Sequence, residues 1–272
     1  MTGVVAVDLA SAETVLERVL DGVEGWLQLP EAAALYDAAK NAAGSRPDAC
    51  VVEIGSWKGR STIALGRGVV DGGGAGTVYA IDPHEIRPEL PRWASDRMPE
   101  LLANLAGAGV GDVVTPIRAS GHQAREQFGE SSVDVLFVDG DHSYQGVCQD
   151  IDDWSTTLRP GAVVAFNDYR MEDVARALRH RVLRSQSAFR RPRWVHNTLI
   201  FDYQPTSPWR AAERVTLLRA RMFLRLSSAW IRRYDRLQAS AARWQRPLKR
   251  PVSWVTVRLV RPILKGLVPS LD

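Results

Sequence analysis

The run Leu136-Phe137-Val138-Asp139-Gly140-Asp141-His142-Ser143-Tyr144 restricts the possible folds more than any other stretch of the chain. Mostly apolar residues from Val133 to Val138 give way abruptly to two carboxylates, an imidazole, a hydroxyl and a phenol. Strands that are apolar nearly throughout belong to parallel sheets, where helices cover both faces. In open α/β sheets, ligands bind outside the carboxyl ends of the strands, so chemistry is expected to gather at Asp139. The next apolar run, Ala162–Phe166, ends in a second polar pair, Asn167-Asp168, which the same topology brings to the same edge.

The rest of the body repeats this alternation. Ala49–Ile54, Thr77–Ile81, Asp112–Ile117, Val133–Val138 and Ala162–Phe166 read as strands. Helices are expected over Arg60–Gly68, Trp93–Leu105, Gln145–Leu158 and Met171–Leu183, with a short one ending at Phe128. Arg159-Pro160-Gly161 reads as a turn, and Trp194–Asn197 with Leu199–Asp202 as a closing antiparallel pair. The pattern predicts a Rossmann-like, doubly wound, mostly parallel seven-stranded sheet. Two helices precede it, over 11–28 and 31–43, with Val15, Leu16, Val19, Leu20, Val23, Trp26 and Leu27 at helical spacing. The expected organisation is a helical cap over 1–30, the α/β domain over 31–204 and an arm over 205–272.

Charge sets the arm apart. Residues 205–272 hold 15 Lys+Arg against 3 Asp+Glu, whereas residues 1–204 hold 20 against 28. An acidic body with net −8 therefore carries an arm with net +12. On a helical wheel Arg214, Arg221, Arg225, Arg232, Arg236 and Arg243 fall within an arc of roughly 60°, beside the apolar residues Val215, Leu218, Met222, Leu226, Trp230 and Leu237. Such an arm packs on its own domain, on a second copy in a homodimer, or on an anionic membrane surface through residues 209–265. Nucleic acid is not expected, because the body lacks basic patches interleaved with aromatics. Cys50 and Cys148 are too few and too far apart for a disulfide framework or a zinc site, and both read as small core residues. No apolar run reaches the roughly 20 residues of a membrane span. With no basic-then-apolar leader, the expectation is a cytoplasmic chain, soluble or peripheral at the membrane.

Val51-Val52-Glu53-Ile54-Gly55, followed by Gly59, makes a strand, a glycine turn and a helix start. The Gly-x3-Gly spacing departs from the glycine fingerprint of pyrophosphate-binding loops, and Glu53 would repel a pyrophosphate. A carboxylate there favours an ammonium instead. Asp82, 27 residues after Gly55, ends the second strand, where a carboxylate takes ribose hydroxyls. A ribose, a cationic amino-acid end and no phosphate together describe S-adenosyl-L-methionine.

The runs Val-Glu-Ile-Gly-Ser-Trp-Lys-Gly-Arg-Ser-Thr, Ile-Asp-Pro-His and Phe-Val-Asp-Gly-Asp-His-Ser-Tyr resemble class I S-adenosylmethionine-dependent methyltransferases. Within that class they are most similar to the metal-dependent O-methyltransferases of the caffeoyl-CoA and catechol type. The Asp-Gly-Asp-His loop looks most like the sugar O-methyltransferases of macrolide tailoring. The resemblance covers about residues 31–203. It implies that Glu53, Gly55, Ser56, Gly59, Ser61 and Thr62 line the methionine end, that Asp82 holds the ribose with His84 nearby, and that Ser120 borders the adenine. It further implies metal ligation by Asp139, Asn167 and Asp168, with His142 as general base. The Asn-Asp order at 167–168 departs from the Asp-Asn or Asp-Asp of other members, which leaves open which residue makes the stronger bond.

Two carboxylates and an amide oxygen form a hard oxygen set suited to Mg²⁺. Such an ion lowers the pKa of a hydroxyl it grips, and an imidazole near neutrality then removes the proton. Trp57, His84, Trp93 and Tyr144 are placed by the pattern on loops at the carboxyl edge, where aromatic rings suit packing or stacking on a sugar. The Ala/Arg-rich composition fits a GC-rich bacterium such as an actinomycete. The acceptor expected from that association is a mannoside or methylmannose-polysaccharide precursor with vicinal hydroxyls. The rival expectations are O-methylation of a phenol or catechol, and a non-catalytic peripheral membrane or scaffold protein working through the arm.

Overall fold

A computed structural model describes residues 9–86, 88, 95–184, 187–205 and 213–225. Seven strands form one sheet: β1 (Cys50–Ile54), β2 (Thr77–Ile81), β3 (Val114–Ile117), β4 (Val133–Val138), β5 (Leu158–Phe166), β6 (Phe189–Val195) and β7 (Thr198–Tyr203). Their spatial order is β3-β2-β1-β4-β5-β7-β6. β1 to β5 pair in parallel, and β7 returns antiparallel to both β5 and β6. This is the seven-stranded, mostly parallel, Rossmann-like sheet of class I methyltransferases.

Helices α1 (Leu9–Val19), α2 (Leu29–Ser45), α3 (Arg60–Asp71) and α4 (Met98–Gly107) cover one face. α5 (Gly121–Ala124), α6 (Tyr144–Trp154), α7 (Glu172–Arg181) and a helix over 213–225 cover the other. Side chains alternate accordingly: Val51, Val135 and Phe137 belong to the first core, and Val52, Ile54, Leu136 and Val138 to the second. The largest fully buried side chain is Trp154 on α6, which packs on Phe128 with ring centroids 5.0 Å apart and donates its indole N–H to the Gly121 carbonyl at 3.2 Å.

Several boundaries differ from the sequence expectation, for local reasons. The helix expected over 11–28 ends at Val19, because Asp21-Gly22 turns the chain, with Gly22 at φ 72°. Trp26 is thus a loop residue, 56% exposed, stacked on Trp57 at 4.5 Å. Arg159-Pro160-Gly161 lies inside β5, where the register with β4 shifts between Val133 and Val135. The strand expected from Asp112 begins at Val114, after a 3-10 turn at Gly111–Val113. The helix expected over Trp93–Leu105 runs from Met98 to Gly107, and Trp93 lies outside the described residues. Cys148 is buried and Cys50 half-buried, both as free thiols, with burial pushing the Cys50 thiol up to about 12.

The face of the arm helix that packs inward is not the one its apolar spacing picks out. Leu217, Ala220, Phe223 and Leu224 are buried, whereas Val215, Leu218 and Met222 face outward. Phe223 fits between Tyr169 and Trp194, at 6.1 and 5.6 Å between centroids, and Arg179 donates to the Leu224 carbonyl. The arm therefore packs on its own domain over 213–225. The remaining arm residues, including Leu226, Trp230, Arg232, Arg236, Leu237 and Arg243, lie outside the described residues.

Trp154→Ala should lower unfolding stability by about 3–5 kcal/mol, read as a lower urea midpoint. A change under about 1 kcal/mol would show that α6 is not anchored through this side chain.

Candidate active site

Five strands end level. Ile54 pairs with both Ile81 and Val138, Ile81 with Ile117, and Val138 with Phe166. The residue after each strand is then tied to its neighbour. Asp82 N–H donates to Ile117 at 3.1 Å, Gly55 to Ile81 at 2.8 Å, Asp139 to Ile54 at 2.8 Å and Asn167 to Val138 at 3.0 Å. Asp82, Gly55, Asp139 and Asn167 thus stand in one row at the carboxyl edge. Gly55 has φ 95°, and a Cβ there would lie 2.2 Å from the Asp139 carbonyl oxygen. Only glycine fits where the two loops cross.

At the β1 end, Glu53 is fully buried and accepts from the Thr62 hydroxyl at 2.5 Å. Burial, opposed by Ser61 and Thr62 and reinforced by the charges of Asp139 and Asp82, pushes its carboxyl up to about 8. Its Oε1 is buried without a hydrogen-bond partner, as is the Ser56 hydroxyl. A buried carboxylate with one open oxygen is satisfied by a cation, so this end fits an ammonium. Gly59, at φ 91°, starts α3, and a Cβ there would lie 2.6 Å from Leu101. Arg60 follows it and clamps the preceding loop by donating to the carbonyls of Leu20, Val23 and Leu27.

Asp82 accepts N–H bonds from Trp57 at 2.9 Å and His84 at 2.7 Å, one on each oxygen. This fixes its plane and leaves lone pairs for hydroxyl donors. The His84 ring is buried with neither nitrogen hydrogen-bonded, and burial lowers its pKa against the pull of Asp82. Ser120 sits at the end of β3 as expected, and its hydroxyl caps α5 by accepting from Gln123 N–H. Beside it lies Asp150, which sequence reasoning left as a helix residue. A Cβ on Gly121 would come within 2.7 Å of its Oδ1, and burial pushes its carboxyl up to about 7.

Asp139, His142 and Asp168 each bring a ligating atom within 4.8 Å of the others. His142 Nε2 lies 3.4 Å from Asp139 Oδ1 and 3.1 Å from Asp168 Oδ2. Those two carboxylates, Asp139 first, push the imidazole up to about 10, so in this form it is an imidazolium. Asp168 adopts φ 53°, a conformation rare outside glycine that is held here by the Asn197 amide on Oδ1 and by Met171 N–H on its carbonyl. Asp141, by contrast, accepts from the Ser143 N–H and hydroxyl and shapes the loop.

Asn167 donates to Asp139 Oδ1 at 3.2 Å and accepts from Thr198 Oγ1 at 2.9 Å. Thr198 Oγ1 also lies 2.9 Å from Glu31 Oε1, which further accepts from Asn197 N–H. Thr198 has a single hydroxyl proton to share between these two oxygens. The carboxylates of Asp139 and Asp168, with the Asn167 side chain beside them, are a donor set that a hard divalent ion would fit. Glu31, Asn197 and Thr198 come from distant segments, and no spacing in the sequence marks them.

Of the aromatic candidates, Trp57 is buried under Trp26, and the Tyr144 hydroxyl hydrogen-bonds His180 at 2.9 Å beneath Arg176. His122 pairs with Asp153, and His196 lies 3.4 Å from Glu31.

Fold and site together fit a methyltransferase domain of the class I, S-adenosylmethionine-dependent architecture. Residues 52–169 match the family model described as a methyltransferase domain. Among solved structures, the O-methyltransferase NovP is similar at TM-score 0.56 and 15% identity, over 72% of this chain and 98% of that one. A Corynebacterium glutamicum protein gives 0.52 and 13%, over 74% and 92%, and a Geobacter sulfurreducens methyltransferase gives 0.50 and 17%, over 72% and 87%. At these identities the likeness is one of fold.

Two outcomes are expected. A Glu53 carboxyl raised from 4.5 to about 8 gives the folded protein the extra proton between those values, so ligand-free stability falls as pH rises through that window. Glu53→Gln should flatten part of this slope in melts across the window, and an unchanged slope would show that Glu53 is not buried as a neutral acid. Thr198→Val should weaken Mg²⁺ affinity about 10- to 100-fold by calorimetry, with the metal-free melt as the folding control. Equal affinity would show that Thr198 does not position Asn167 for the ion.

Proposed function

We propose that this chain is an S-adenosylmethionine- and Mg²⁺-dependent O-methyltransferase acting on a sugar hydroxyl. The observation that carries this reading is the row of acidic groups at one sheet edge: Glu53 and Asp82 at one end, Asp139, Asn167 and Asp168 at the other. Glu53 is set to receive the ammonium of the methyl donor through its open oxygen, and Asp82 to accept from the ribose hydroxyls. A divalent ion held by Asp139, Asn167 and Asp168 would suit an acceptor that presents two neighbouring oxygens, as vicinal sugar hydroxyls do, and a mannoside is the first such acceptor to try. When bound, such an ion would lower the pKa of the acceptor hydroxyl and would offset the carboxylate charge that keeps His142 protonated.

His142 Nε2 then takes the hydroxyl proton. The oxygen attacks the sulfonium methyl in line, the carbon–sulfur bond breaks, and the thioether leaves with its electron pair. Most of the rate comes from positioning, which the rigid strand ends supply. The His142 position, at 3.1–3.4 Å from both carboxylates, supports its role as the group that moves the proton.

The test is turnover on a panel of glycosides and catechols, with Mg²⁺ and with chelator. Metal-dependent methylation of a glycoside is expected, and methylation of catechols alone would overturn the sugar assignment. His142→Ala should cut kcat at least about 100-fold while leaving the Kd for the methyl donor unchanged. Asp139→Ala or Asp168→Ala should abolish metal-dependent turnover, whereas wild-type rates in chelator would overturn the metal site.

A further inference from the structure

Seven large apolar side chains are exposed among the described residues, and three of them, Val215, Leu218 and Met222, share the helix over 213–225. They are 48, 63 and 41% exposed. At i, i+3 and i+7 they form one stripe, on the side of the helix opposite the buried Leu217, Ala220, Phe223 and Leu224. On the wheel, Arg214, Arg221 and Arg225 flank the stripe on one side and Arg219 on the other. The only acid of the helix, Glu213, lies on the inner side and acts electrostatically on Arg190. The outer face is therefore apolar at its centre, basic at both margins and free of negative charge.

We propose that this outer face docks the protein on an anionic lipid bilayer. The inner face, with Phe223 between Tyr169 and Trp194, fixes the helix to the domain. Val215, Leu218 and Met222 enter the interface, and the arginines meet the headgroup phosphates. A second copy of this chain is the poorer occupant, because a two-fold contact through this face would set its arginines against one another. The sequence continues with the same sign: residues 226–272 hold 10 Lys+Arg against 2 Asp+Glu, with Trp230, Trp244 and Trp254 among them. Tyr169, against which Phe223 rests, directly follows Asp168, so the docking helix sits next to the segment that carries the metal-site carboxylate.

The experiment is flotation of the full chain with vesicles of phosphatidylcholine alone and of an equal mixture with phosphatidylglycerol. Flotation is expected only with the anionic vesicles and should weaken as salt rises. The double variant Leu218→Ser, Met222→Ser should partition at least about tenfold less. Both positions are exposed, so its melting temperature should be unchanged. Arg214→Gln with Arg221→Gln and Arg225→Gln should weaken binding to the anionic vesicles in the same way. Failure of the wild type to float, or equal flotation of the double variant, would overturn the proposal. Sedimentation velocity showing a dimer that the double variant dissolves would also overturn it, by assigning the face to a second copy.

Discussion

Four backbone hydrogen bonds at the ends of the strands hold the site together. Asp82 to Ile117, Gly55 to Ile81, Asp139 to Ile54 and Asn167 to Val138 lock the first residue beyond each strand to the last carbonyl of its neighbour. Neighbouring strands lie about 4.8 Å apart, so acidic side chains are brought to a spacing they would avoid in a flexible loop. The helices packed on both faces, anchored by side chains such as Trp154 and Phe137, are what hold the carboxylates there against their repulsion.

Burial, with that repulsion added to it, sets the electrostatics of the edge. Glu53, Asp139 and Asp150 all have raised pKa values, with burial as the largest cause and a neighbouring carboxylate as a further one. His142 is raised as well, because the carboxylates of Asp139 and Asp168 within its reach favour its charged form. A crevice of this kind is most stable when positive charge enters it. It offers two separate places for that charge: the buried open oxygen of Glu53, and the oxygen cluster beside Asn167. A sulfonium amino acid and a divalent ion match the two places in charge and in donor chemistry.

Much of this was legible in the sequence because strand ends announce themselves. The change from Val138 to Asp139, from Phe166 to Asn167 and from Ile81 to Asp82 is abrupt, and the residue after each strand is the one the sheet topology exposes at the edge. β2 and β4 have the bounds read from the sequence alone. Glu31, Asn197 and Thr198 were not legible, because their contribution arises from antiparallel pairing at one end of the sheet and a helix start at 29–31, contacts more than 160 residues apart. The inner face of the arm helix was not legible either. Periodicity locates an apolar stripe but does not say which of two stripes faces the domain, and Leu217, Ala220 and Phe223 took the inner side.

The account stands or falls on whether the acidic row receives a sulfonium cofactor. Calorimetric titration of S-adenosylmethionine into the full chain, with Mg²⁺ and then with chelator, measures this most directly. Binding is predicted in both conditions, lost in Glu53→Ala and Asp82→Ala and kept in Asp168→Ala, because the two ends of the row are separate. No binding in either condition would contradict the account at its root.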